Sequence, residues 1–110
     1  MKFTGTWRIT EMDEWDEDYF NMQVQAYVKI KQDGGGEFQF GLVHGYFSNG
    51  WLDEDGEAYE FDWEGSSEMD EASGSCLLTL TDKDHIEGEI RFFNADSSGF
   101  QARRMKKGKA

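Results

Sequence analysis

TGTWRITEMDEWDEDYF, residues 4–20, joins two sequence patterns without a break. The first, extended back to Phe3, alternates: Phe3, Gly5, Trp7 and Ile9 fall on one face of an extended chain, and Thr4, Thr6, Arg8 and Thr10 on the other. Side chains of a β-strand point to opposite faces with a period of two, so this is a half-buried strand with a tryptophan on its inner face. The second pattern changes period. Met12, Trp15, Tyr19 and Met22 recur at steps of three and four, with Asp13, Glu14, Asp16, Glu17 and Asp18 between them. That spacing predicts a short amphipathic helix. Thr10 is placed to be its N-cap and Asp13 stands three residues on, in a box-like relation. Carboxylates in a first helical turn also interact favourably with the helix dipole. One strand running into one short helix, at the head of a chain otherwise built of strands, is the reading that decides the fold.

The whole chain has thirteen glycines and no proline, and its punctuation by Gly, Asn and Asp suits hairpin turns. Gln23 to Lys31 places Val24, Ala26, Val28 and Ile30 on one face and ends at Asp33-Gly34-Gly35-Gly36. Glu37 to Val43 does the same with Phe38, Phe40 and Leu42, and a strand over about His44 to Phe47 leads to the Asn49-Gly50 turn signal or slightly beyond it. Asp55-Gly56 opens Glu57 to Glu64, in which Tyr59, Phe61 and Trp63 alternate with Glu60, Asp62 and Glu64. Gly65 to Ser75, GSSEMDEASGS, reads as a long acidic loop. Cys76 to Thr81, Ile86 to Phe93 and Gly99 to Met105 complete the strands, with turns at Asp82-Lys83-Asp84 and Asn94 to Ser98. Consecutive hairpins of eight strands, with a helix after the first, are most simply satisfied by an eight-stranded antiparallel up-and-down barrel, because closure removes both edges. The alternative is a two-sheet β-sandwich. Residues 1–105 read as one domain, and 106–110 as a basic, frayed tail.

A chain of 110 residues with 15% aromatic residues can bury a core of large rings in a single domain. Its formal net charge of −12 opposes nucleic acid and anionic membranes, whose affinity for proteins comes mainly from Lys and Arg. No apolar run approaches the length of a spanning helix, and MKFTGTW lacks the apolar stretch of a signal peptide. Cys76 is the only cysteine, so it forms no internal disulfide and no thiolate cage; it reads as a small buried hydrophobe in a cytoplasmic protein.

At Gly5-Thr6-Trp7 the chain resembles the lipocalin and fatty-acid-binding barrels of the calycin group, which open with a Gly-x-Trp strand whose indole closes the barrel floor. The resemblance implies that an arginine of the last strand covers that indole. Arg103 and Arg104 both stand there, and Arg104 shares a face with Phe100 and Ala102. The set GTWRI, EFDWEG, EMDEASG and DSSGF is also similar to a family of small bacterial proteins, a resemblance that brings no activity with it.

No constellation names a reaction. The carboxylates of Asp13 to Asp18 lie on the expected solvent side of the helix. Asp62, Glu64, Ser66, Glu68 and Asp70 alternate like a calcium loop, but such a loop needs glycine where Ser67 stands and glutamate where Ser73 stands. A weak cation site at Glu64, Glu68 and Asp70 is the residual metal reading, against a plain polar loop. His44 and His85 have no Ser, Cys or second His at a recognised spacing. Gly34-Gly35-Gly36 precedes a strand, whereas a phosphate loop precedes a helix. The rings of Trp7, Phe38, Phe40, Tyr59, Phe61, Trp63, Phe92 and Phe100 either line a cavity or fill the barrel, and eight strands allow both. Beside an enzyme whose residues no motif names, two functions are expected. One is a binder of a small apolar or aromatic ligand, with Trp15 and Tyr19 as a lid and Tyr59 and Trp63 in the wall. The other is an acidic module that engages a basic protein partner through Asp13 to Asp18 and Glu64 to Glu71. Trp7 and Arg104 are structural, and no metal or cofactor is expected.

Overall fold

The alternation in the opening strand needs partners on both edges, and the chain supplies them from its two ends. In the computed structural model, which describes residues 2–93 and 97–105, β1 (Gly5–Met12) pairs with β2 (Tyr27–Ile30) on one side and with β9 (Ser97–Arg104) on the other. The tail 106–110 and part of the expected turn at Asn94 to Ser98 lie outside the described residues. From β2 the sheet continues through β3 (Gly36–Phe40) to β4 (Val43–Phe47). From β9 it continues through β8 (His85–Phe92) and β7 (Asp70–Asp82) to β6 (Ala58–Ser67). Pairing of β4 with β6, from Val43 opposite Ser67 to Tyr46 opposite Glu64, closes the ring. The result is an eight-stranded antiparallel barrel with a single short helix, α1 (Glu17–Phe20), after β1. Closure excludes the two-sheet sandwich. A ninth short strand, β5 (Gly50–Leu52), pairs farther along the same edge of β6.

Four boundaries differ from the sequence reading. Helical periodicity runs from Met12 to Met22, but β1 extends to Met12, which pairs with Phe100, and the Asp13 N–H donates to the Gly99 carbonyl at 2.9 Å. A strand partner satisfies those backbone groups, so helix begins only at Glu17, with Asp16 and not Thr10 as N-cap. Gln23 to Ala26 lies outside β2; Val24 is exposed and the Ala26 N–H donates to the Asn21 side chain at 2.8 Å. Ser48-Asn49 links β4 to β5, which begins at Gly50, and the hairpin turn comes at Asp53 to Gly56. Gly41-Leu42 forms the β3–β4 turn, which takes Leu42 out of the expected inner row.

The largest difference is at Gly65 to Ser75. It is not a loop. Its residues continue β6, turn at Glu68-Met69 and return along β7, with Gly65 opposite Ala72 and Ser67 opposite Asp70. The small side chains that look loop-like answer to close approach: a Cβ at Gly65 would fall 1.9 Å from the His44 carbonyl oxygen, and one at Gly74 would fall 1.7 Å from that of Arg91.

Inside, Trp7, Phe38, Phe40, Tyr59, Phe61, Trp63, Leu78 and Phe100 belong to one buried cluster. Trp7 is fully buried, its indole N–H donates to the Phe3 carbonyl at 2.9 Å, and the Arg104 guanidinium carbon lies 4.2 Å from the ring centroid. Arg104 also donates to the carbonyls of Thr4 and Lys2, at 2.7 and 2.8 Å. This approach explains the glycine of Gly-x-Trp. Gly5 has φ +133°, and a Cβ there would meet the Arg104 guanidinium at 2.9 Å.

Candidate functional site: an aromatic groove at the barrel rim

The end of the barrel away from Trp7 is crossed by the segment that carries α1. Three local devices hold it. The Asp16 carboxylate accepts from the Tyr19 N–H at 3.1 Å. The Gly41 N–H donates to the Phe20 carbonyl at 2.9 Å. The Tyr19 ring lies over Gly41, where φ is +55° and any Cβ would collide with that ring at 2.3 Å. Only glycine fits both the turn and the ring there. Trp15 is then laid across the rim, with ring centroids 5.1 Å from Phe40, 6.0 Å from Tyr19 and 6.4 Å from Phe92. Beneath it, Trp63 meets Phe38 and Phe92 edge to face at 5.0 and 5.3 Å.

These rings leave almost no room inside. The interior space bounded by Ile9, Met12, Phe38, Phe40, Ile90 and Phe100 is about 10 Å³, no more than one water needs. Outside the lid the situation reverses. Trp15, Tyr19, Val43, Tyr46 and Phe92 border an open groove of about 1020 Å³, and the β6–β7 hairpin forms its other wall with Glu64, Glu68 and Glu71. Trp15 and Tyr19 are half-buried, so each packs partly on the core and partly against the groove.

Of the four residues expected at a ligand site, the structure brings Trp15 and Tyr19 together at the groove. Trp63 sits below them in the core, its indole N–H donating to the Ser75 carbonyl at 3.2 Å. Tyr59 lies at the other end, stacked on Phe3 at 5.7 Å, with its hydroxyl donating to the Gly34 carbonyl and accepting from the Gly50 N–H. Burial is the main cause that pushes its phenol above the usual range. Sequence reasoning missed Tyr46 and Val43. The alternation assigns no inner face to the strand over His44 to Phe47 that holds Tyr46, and it puts Val43 at the end of the preceding strand, off the row of Phe38, Phe40 and Leu42; the place of both at the groove depends on β4 closing onto β6.

The other candidates are placed as follows. Asp13, Glu14, Asp16, Glu17 and Asp18 are all exposed. Glu64, Glu68 and Asp70 are exposed on the hairpin, and among the described residues no three His, Cys, Asp or Glu side chains are grouped to hold a metal ion. His44 pairs with Glu37 at 3.2 Å, and its other ring nitrogen faces the Tyr46 hydroxyl at 3.4 Å. His85 pairs with Asp82 at 2.9 Å, and this contact holds the Asp82 carboxyl below its usual range. Cys76 is buried, and desolvation pushes its thiol well up, away from the reactive thiolate. Among the described residues no helix is long and apolar enough to cross a membrane.

In comparisons with known proteins, no family model, no curated protein and no solved structure matches this chain, and what stands is its architecture: a closed eight-stranded antiparallel barrel with a filled interior and an aromatic groove at one rim.

Proposed function

We propose that the chain is a binding protein for one small ligand with an apolar or aromatic body, held in the rim groove and not inside the barrel. The observation that carries this reading is the contrast between about 10 Å³ inside and about 1020 Å³ at the rim. The groove is at the upper end of the range of small-ligand pockets, about 300–1,000 Å³, and its lining is mixed, with Ser67, Ser73 and three glutamates facing the rings. Trp15, Tyr19 and Phe92 supply the ring surface. Because Gly41 and Asp16 fix the lid, little freedom remains to be lost on binding. The floor at Trp7 under Arg104 and the helix over the opposite rim support grouping the chain with lipocalin-like barrels, with the ligand moved from the interior to the rim. The lone buried Cys76 favours a reducing, cytoplasmic setting.

A neutral fluorescent probe such as N-phenylnaphthylamine tests this. It should bind the native protein with an affinity that salt hardly changes, because apolar burial is not screened. Trp15→Ala should weaken it by roughly tenfold, the size expected when one large ring contact of about 1 kcal/mol or more is lost. Binding that ignores Trp15→Ala, or no binding at all, overturns the reading. Salt-sensitive capture of a basic protein by both forms would favour the acidic interaction surface instead.

A further inference from the structure

The groove also bears on the charge of its occupant. Four rings line it from separate segments: Trp15 and Tyr19 from the lid, Tyr46 from β4 and Phe92 from β8. Among the described residues, no lysine, arginine or histidine lines it, whereas Glu64, Glu68 and Glu71 do. The register places two of these carboxylates: Glu64 is opposite Ser73 and Glu71 is opposite Ser66, so both fall on the outward face of the hairpin with the Gly65–Ala72 pair between them, on the same side as Tyr46, which is opposite Glu64. Glu68 occupies the turn itself, at φ 53°.

Aromatic faces carry the negative part of the ring quadrupole and attract cations, quaternary ammonium groups in particular. A groove that combines such faces with carboxylates, and has no lysine or arginine among its described lining residues, favours one charge type. We infer, resting on the rim-groove reading, that the ligand is an organic cation: an ammonium group on an apolar or aromatic body. The body lies against Trp15 and Phe92, and the charge lies toward Glu64, Glu68 and Glu71. The overall charge of −12 also raises the encounter rate of such a ligand and lowers that of an anion. The carboxylates of Asp13 to Asp18 have no part in this; they are solvated and carry no site.

Three matched compounds test the inference on the intact protein: naphthylmethanol, naphthylmethyl-trimethylammonium and naphthoate, titrated by calorimetry at low and high salt. The cation should bind about tenfold tighter than the neutral alcohol at low salt and naphthoate weakest, with the gap narrowing at high salt as exposed charges are screened. Combined Glu64→Gln, Glu68→Gln and Glu71→Gln changes are at exposed positions and should remove the preference, read as the ratio of cation to alcohol affinity. Equal binding of cation and alcohol, tightest binding of naphthoate, or a preference that survives the glutamine variant would overturn the cation inference and leave the groove reading standing. Failure of all three compounds to bind would overturn the groove reading, and the inference with it. An oligolysine peptide that binds more tightly than the small cation, and equally well to Trp15→Ala, would overturn it in favour of surface charge alone.

Discussion

Replacing Trp7 by alanine tests the floor of the barrel. The ring is fully buried, its N–H is bonded to the Phe3 carbonyl, and Arg104 lies over its face at 4.2 Å. Removing a buried tryptophan costs about 3–5 kcal/mol, and losing the cation–π contact adds about 0.5–2 kcal/mol. Together these approach the whole stability of a small domain, which is about 5–15 kcal/mol. For a chain of this size 1 kcal/mol moves the Tm by about 4 °C, so Trp7→Ala should melt roughly 15–25 °C lower, or not fold. Urea and thermal unfolding followed by circular dichroism read the total. A double-mutant cycle of Trp7→Phe with Arg104→Met isolates the contact, because the bonds from Arg104 to the Thr4 and Lys2 carbonyls are lost equally in both arms. The cycle should give a coupling of about 0.5–2 kcal/mol, less what phenylalanine retains. A Tm within a few degrees of the parent for Trp7→Ala would refute the floor assignment, and zero coupling would refute the part given to Arg104.

Two further outcomes follow from the hairpin and from the Asp82–His85 pair. Glu68 and Met69 both have positive φ, 53° and 80°, and Met69 is 98% exposed. Met69→Gly should therefore raise stability by about 1 kcal/mol, since a left-handed conformation costs an L-residue about 1–2 kcal/mol; an unchanged or lower Tm would show that the turn does not hold this geometry. The Asp82 carboxyl is depressed by the hydrogen bond from His85. Its stabilising contribution is thus present above the ordinary aspartate range and fades as pH falls through its lowered folded value. In an NMR titration His85→Ala should raise the Asp82 carboxyl toward the ordinary range, the Asp84 N–H keeping part of the depression, and no change on that substitution would show that His85 is not the main cause.

What the sequence by itself determined follows from local periodicity. The alternation of Phe3 to Thr10 and of Tyr59 to Glu64 states which side chains face inward, because the two faces of a strand meet different solvents. The resemblance carried by Gly5-Thr6-Trp7 and a terminal arginine implied a closed floor, and a chain of hairpins with a helix after the first strand led to an eight-stranded barrel. Three features became visible only in the tertiary structure. Met12 and Asp13 fit a helix by spacing, yet they join the strand ladder because β9 lies alongside to bond them. Gly65 and Gly74 look like loop residues, yet they are strand residues held against the His44 and Arg91 carbonyls, and a glycine does not announce which neighbour excludes its Cβ. The groove draws on residues far apart in the chain: Trp15 and Tyr19 meet Tyr46, Glu64, Glu71 and Phe92 only because β4 closes onto β6 and the lid is laid over Gly41. Local pattern sets which way a residue faces; which residues share a concave surface is set by ring closure, and that is a long-range property of the whole sheet.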